Sequence, residues 1–254
     1  MAAAPKALIL TVYAPALGSA DGRPITIVHA LEHALPGLRL AWTISDEGQP
    51  VPLPQRDAWV ARGRTDGRPG IPILCNGDEN HPVTTFGWVR PAGVSSGNQP
   101  LFEVHADMPL DAAGLAAAVD MLEALGESAR AFWGHASPKG YGSELAQQTR
   151  HSAKSPAVSP RGLPSIKLPE KIPTPELPHY LGWLNYWSAA AARAIGFPDP
   201  ARDSELLSHA RRTATGGWVV QLTDAPLDLD TPAHLDALLR AYERFPDIGG
   251  RSTP

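Results

Sequence analysis

The chain lays out one structural theme twice. "LFEVHADMPLDAAGLAAAVDMLEALG" (Leu101–Gly126) and "GGWVVQLTDAPLDLDTPAHLDALLRAY" (Gly216–Tyr242) each pass from an alternating run through an Asp-x-Pro-Leu-Asp corner into a helical pattern. Alternation sends successive side chains to opposite faces of a strand. Phe102, Val104 and Ala106 therefore share one face and Glu103 and His105 the other; Trp218, Val220 and Leu222 likewise oppose Val219, Gln221 and Thr223. The first turn of a helix exposes unpaired N–H groups, and Asp, Ser or Thr side chains accept from them for about 1 kcal/mol each. Thr231-Pro232 adds a capping residue followed by one suited to the first helical position. Asp224, Asp228 and Asp230 are thus expected to start helices. A calcium loop is the rival, but it needs a central glycine and a distant bidentate glutamate, and neither stands at the required spacing. The paired stretches suggest an internal duplication of a strand–turn–helix unit, with "FGWVR" and "LGWLNYW" each upstream of one copy.

Around these units the pattern predicts a mixture of strands and helices. Ala7–Tyr13 reads as a central strand and Ile25–Leu35 as a helix ended by Pro36-Gly37. Leu38–Ile44 alternates as a strand, Gln55–Arg62 is a short helix, and "RGRTDGRPG" reads as a flexible basic loop. Ile71–Cys75 is a brief strand, "NGDENHP" a turn, and Val83–Arg90 with Leu101–Ala106 a hairpin. Asp111–Leu125 is a helix that the pattern allows to continue through "SARAFW". Residues 138–178, rich in Pro, Ser, Lys and Gly, read as a mobile surface crossover loop between two halves. "HYLGWLNYWSAAAARAIG" is apolar nearly all round, with Trp183, Trp187, Ala191 and Ile195 at steps of four, and predicts a buried helix. Asp203–Arg212 is expected as a helix, Gly217–Thr223 as a strand and Pro232–Phe245 as the last helix, with a disordered tail over 249–254. The expectation is a single α+β domain over 1–254: a mostly antiparallel or mixed sheet with helices packed on it.

A chain of 254 residues can bury roughly three quarters of the surface its unfolded form exposes, so it needs no disulfide or structural metal. Cys75 is the only cysteine, which leaves no thiolate zinc cluster and suits a reducing compartment. The formal charge of −4 argues mildly against a nucleic-acid partner. No apolar run is long enough to span a membrane. "MAAAPKALILTVYAPALGSADG" is weighed as a signal sequence and read instead as leading into the first strand, so the expected compartment is the cytoplasm.

Few residue groups suggest chemistry. His29 and His33 stand four apart on one helix, but Ala30 occupies the place where a zinc protease has its glutamate, and two surface histidines are the simpler reading. Cys75 near Asp78 and His81 lacks a positioned base, and reads as a small core residue. Glu103 and His105, two apart on one strand face, permit a general-base pair; a solvated sheet face gives the same pattern. Phosphate loops and nucleophile elbows are missing. No metal or cofactor is expected.

"LGWLNYWS" (Leu181–Ser188) followed by "GGWVVQLTDAPLDLDTPAHLDALLRAYERF" (Gly216–Phe245) resembles the immunity protein 52 family of bacterial polymorphic toxin systems. The whole chain, including "LPQRDAW" and "LCNGDE", is also similar to a set of myxobacterial proteins of unknown function. The first resemblance implies an α+β fold. It implies the role of binding and neutralising a cognate toxin, usually a restriction-endonuclease-like nuclease, with no catalytic residue to carry over. Such an inhibitor is expected to use acidic and aromatic surface, here Glu47, Asp78, Glu79, Trp88, Glu103 and His105, because a nuclease cleft attracts negative charge. The alternative is an enzyme or small-molecule binder with a pocket around His105, Glu103 and Trp88.

Overall fold

The computed structural model describes residues 7–62, 64–65, 68–149 and 161–251. In chain order the elements are β1 (Ala7–Pro15), α1 (Arg23–Ala34), β2 (Trp42–Ile44), β3 (Pro50–Pro52), α2 (Arg56–Ala61), β4 (Arg64–Thr65), β5 (Arg68–Cys75), β6 (Thr84–Arg90) and β7 (Leu101–Pro109). Then come α3 (Ala112–Ala129), β8 (Trp133–Pro138), α4 (Tyr141–Gln148), β9 (Leu184–Trp187), α5 (Ala189–Ala194), α6 (Ser204–Ser208), β10 (Ala210–Arg212), β11 (Trp218–Gln221) and α7 (Pro232–Arg244). The fold is α+β.

One sheet runs in the order β10-β11-β9-β8-β1-β7-β6-β5-β2-β3, with β4 paired to β5 off that path. Every paired neighbour is antiparallel. β1 is central, as expected, between β7 and β8. Its residues Leu8, Leu10, Val12 and Ala14 face the same way as their β7 partners Met108, Ala106, Val104 and Phe102, and all eight are buried. That face carries α3, against which α1 packs. Gly126 of α3 lies against the ring of Tyr186 on β9, where an added Cβ would stand 2.7 Å from the ring. Gly134 on β8 is equally constrained: its missing side chain would meet Val12 and the Thr11 carbonyl at 2.5 and 2.7 Å.

The opposite face carries polar and aromatic side chains. Over its inner half it is covered by the chain between 161 and 183 and by the end of α7: Trp187 meets Phe197 and Phe245 edge-on, with centroids 5.1 and 5.3 Å away. Double coverage explains one correction. Residues 184–187 form a strand, not the start of a buried helix; a short strand buried on both faces is apolar throughout, so its periodicity is indistinguishable from a helix turn. Helix begins only at α5, capped by Ser188, whose hydroxyl accepts from the Ala191 N–H.

Other expectations are corrected in the same way. α3 stops at Ala129 because Arg130 adopts a left-handed conformation (φ 55°), and "FW" leads into strand β8 instead of prolonging the helix. Of Leu38–Ile44 only Trp42–Ile44 pairs as a strand, and the basic "RGRTDGRPG" stretch contributes β4 and the start of β5. The Asp203–Arg212 segment gives a five-residue helix and then strand β10. The expected loop over 138–178 contains the end of β8, α4 and a 3-10 turn at Pro169–Lys171, and it buries Leu163, Ile166 and Ile172; residues 150–160 lie outside the described residues. In the expected disordered tail, Gly249 and Gly250 are buried and Arg251 donates to the carbonyls of Tyr242, Phe245 and Ile248; residues 252–254 lie outside the described residues.

The two acidic corners differ in their chemistry. Asp111 caps α3, accepting from the Gly114 N–H at 2.8 Å. At α7 no side chain caps: Asp228 accepts from the Asp230 N–H at 3.0 Å and from the Thr231 hydroxyl at 3.3 Å, shaping the turn before the helix. Asp230 pairs with Arg161 at 2.9 Å, and Asp224 stands 3.7 Å from His209. The later aspartates therefore fold the approach to a helix and do not bond its first N–H groups. The two units also sit differently in the sheet, β7 beside the central strand and β11 between β9 and β10.

Candidate functional site

The β6–β7 hairpin sets out a row of side chains on the face away from α3. Antiparallel pairing places Phe86 opposite His105, and Trp88 opposite Glu103. Directly opposed residues share a face, so four alternating residues of two strands converge. The His105 ring lies 5.1 Å from Phe86 and 5.0 Å from Trp88, within 8° of parallel to both. Phe86 and Trp88 are themselves 5.7 Å apart at 13°. The result is a flat shelf of three aligned rings.

Polar bonds fix the shelf from below. His105 Nε2 bonds Glu103 Oε1 at 2.8 Å, and its Nδ1 bonds the Thr11 hydroxyl at 3.2 Å. Arg90 donates to the other Glu103 oxygen at 3.1 Å and to the Val94 carbonyl at 2.9 Å. Glu103 is 6% exposed, so the guanidinium and imidazole supply the contacts that a buried carboxylate needs. A second polar chain runs alongside: the Tyr13 hydroxyl meets the Tyr180 hydroxyl at 3.3 Å, Tyr180 meets His135 Nε2 at 2.7 Å, and His135 Nδ1 meets the Ser137 hydroxyl at 3.4 Å. Burial, reinforced by the Glu103 charge, pushes the Tyr13 phenol above its ordinary range. Burial also pushes His135 down to about 3, with the nearby His105 acting in the same direction, so the His135 ring is neutral at ordinary pH.

Of the six residues expected to form a binding surface, Trp88, Glu103 and His105 come together here. Trp88 is the outermost, Glu103 is buried, and His105 is mostly covered. Glu47, Asp78 and Glu79 are exposed on two turns further out, after β2 and after β5. Asp78 also shapes its turn, accepting the N–H groups of Asn80 and His81, which hold its carboxyl below the usual range. The two turns flank one cleft of about 210 Å3, lined by Gly48 and Gln49 on one side and by Asp78 and Glu79 on the other, and reaching Thr84 on the shelf face of β6. Acidic turns and aromatic shelf are thus parts of one outer surface. Phe86, Arg90 and Thr11 escaped sequence reasoning; the alternation Phe86, Trp88, Arg90 in "FGWVR" was the available signal, whereas Thr11 needed the pairing of β1 with β7.

The polar groups of the shelf are bonded to one another. Both His105 nitrogens and both Glu103 oxygens are engaged, and Thr11 is buried. Only a void of about 10 Å3 adjoins Tyr13 and Arg90, while the larger clefts are lined by other residues. His105, Glu103 and Trp88 line none of these clefts. His29 and His33, the other histidine pair, are both exposed, and His29 lies 3.3 Å from Asp57. Among the described residues no helix is long and apolar enough to cross a membrane.

The fold is shared with a solved structure described as Pseudomonas aeruginosa T6SS protein PA0821, at a TM-score of 0.55 and 15% identity, covering 94% of this chain and 76% of that one. No curated protein matches. Residues 19–253 match the model of a family described as a domain of unknown function, and the chain accordingly belongs to the DUF5953 family.

Proposed function

We propose that this protein is an immunity-type inhibitor that binds a cognate bacterial toxin, a nuclease, and silences it by covering the active cleft. One observation carries the reading: the exposed large apolar side chains of the described residues, Ile44, Val51, Ile73, Trp88 and Val94, lie between β2 and the turn after β6, and three of the five fall on one face of the sheet. Exposed apolar surface gathered in one region and edged by polar groups marks an interaction site. Ile44, Ile73 and Trp88 share the shelf face, and Trp88 is the kind of rigid aromatic anchor that dominates binding energy. The carboxylates of Glu47, Asp78 and Glu79 give that surface an acidic rim suited to a basic nucleic-acid cleft. The resemblance of Leu181–Ser188 and Gly216–Phe245 to immunity protein 52 supports the reading, and a fold shared with a T6SS protein is compatible with it. The inhibitor works by occlusion, with no turnover and no cofactor.

The test is protection. A toxin-domain gene beside this one, expressed alone, should arrest cells, and co-expression of this protein should restore growth. Ile73→Asp combined with Trp88→Asp, on half-exposed positions, should remove protection while leaving the folded state intact by circular dichroism. Failure to protect against any neighbouring toxin, or full protection by the double variant, would overturn the proposal.

A further inference from the structure

At the other end of the sheet, the "DAPLD" corner forms one wall of a cleft of about 480 Å3 between α6, the end of β11 and α7. That volume falls within the range of small-molecule sites, roughly 300–1,000 Å3. Leu206, Leu222 and Ala237 supply apolar lining. Three basic side chains, Arg202, His234 and Arg240, supply donors.

Each of the three is available. The Asp228 N–H donates to His234 Nδ1 at 3.2 Å, so that nitrogen carries no hydrogen and the neutral ring must carry its proton on Nε2, a donor left for a ligand. Arg202 makes no ion pair among the described residues. Arg240 has only Glu205, 3.7 Å away, with both side chains more than half exposed; such pairs contribute little. Arg244 is different: its guanidinium grips the fully buried Asp203 carboxylate with two bonds and is already committed. The first turn of α7 also borders the cleft, at Ala233 and His234, and that helix start has no side-chain cap. Its positive end adds to the attraction of an anion. Glu205 and Asp224 stand at the rim, 79% and 92% exposed, each 3.7 Å from a basic side chain that also lines the cleft, Arg240 and His209.

The geometry points to a binding site for a small organic oxyanion: a phosphate or carboxylate group held by Arg202, Arg240 and His234, carried on an apolar body that rests on Leu206, Leu222 and Ala237. Planar guanidinium groups match both oxyanions, so the shared chemistry is the charged oxygen pair. The apolar lining selects against the bare ions. This cleft uses none of the residues of the aromatic shelf.

Titrations of the full chain with phenyl phosphate, benzoate, inorganic phosphate and acetate, followed by NMR of the His234 ring and the first turn of α7, test the site. Phenyl phosphate or benzoate should give saturable shifts there and bind tighter than the corresponding bare ion; which of the two binds distinguishes a phosphate from a carboxylate ligand. Affinity should fall about tenfold or more in the exposed-surface variant Arg202→Ala/Arg240→Ala, and also in His234→Phe, with thermal unfolding of the arginine variant unchanged. Trp88→Asp should leave binding unaltered. The inference is wrong if no probe gives a saturable shift at millimolar concentration, or if the arginine variant binds as tightly as the parent.

Discussion

His135 lies on β8 under the segment that returns across the sheet and His179 lies within that segment, each bonded through Nε2, His135 to the Tyr180 hydroxyl and His179 to the Lys167 carbonyl. Burial pushes His135 down to about 3 and His179 to about 4, from an ordinary value of 6.5. The unfolded chain therefore takes up these protons first. Stability is fully present above about pH 6.5 and falls as pH drops towards 4, by up to about 1.4 kcal/mol per pH unit for each histidine. Carboxylates act elsewhere: Asp21, held down to about 2 by its Arg23 hydrogen bonds, loses its contribution only below the usual carboxylate range. Asp107, pushed up by burial, acts in the opposite sense close to that range. Urea midpoints between pH 7 and pH 5 isolate the histidines. His179→Gln keeps an N–H for the Lys167 carbonyl and should flatten the slope by one histidine's share. An unchanged slope would show that the ring titrates in the folded protein.

At the scale of elements, the two acidic corners make a matched experiment. Asp111→Ala removes a side-chain bond to the α3 N–H groups and should cost about 1 kcal/mol of unfolding free energy. Thr231→Ala removes a hydroxyl that bonds Asp228 and not the helix, and should fall within about 0.5 kcal/mol of the parent. Equal losses in a denaturant titration would mean that both corners cap. Sequence alone could not separate them, because a carboxylate four residues before a helix, as Asp228 is, and one at the cap, as Asp111 is, close the same Asp-x-Pro-Leu-Asp letters. The same physics decided which elements were readable. The β6–β7 hairpin, α1, α3 and α7 each turn one face to the core, and one-sided burial leaves a period in the sequence, whereas β1, buried on both faces, was readable as a short β-rich apolar run. β8 and β9 are covered on both sides and leave none, so "FW" and "LNYW" read as helix. The site was readable to the same extent: alternation put Glu103 and His105 on one face with no information on depth. Burial of Glu103 depends on Arg90 and on Tyr13 of the central strand, contacts fixed by sheet order and absent from local pattern.

For the molecule as a whole, the continuous sheet carries the shelf and acidic turns on its β6-β5-β2-β3 side and the arginine cleft beyond β11, so two surfaces can act independently. The net charge of −4 is too small to steer a partner from a distance, which leaves steering to the local acidic rim. Rim charge acts on encounter, whereas a desolvated aromatic anchor acts on dissociation. If the proposed toxin is the partner, Glu47→Lys combined with Glu79→Lys should therefore slow its association by about three- to tenfold at low salt. The difference should vanish near 1 M salt, where the screening length shrinks to about 3 Å. Trp88→Ala should instead speed dissociation at every ionic strength. Asp78 is the wrong residue for this comparison, because its carboxylate holds the Asn80 and His81 N–H groups and its loss would unfold the turn itself. Stopped-flow association across a salt series reads both effects. An association rate insensitive to the two lysines at low salt would move the proposed contact away from the acidic turns, leaving the shelf alone to account for binding.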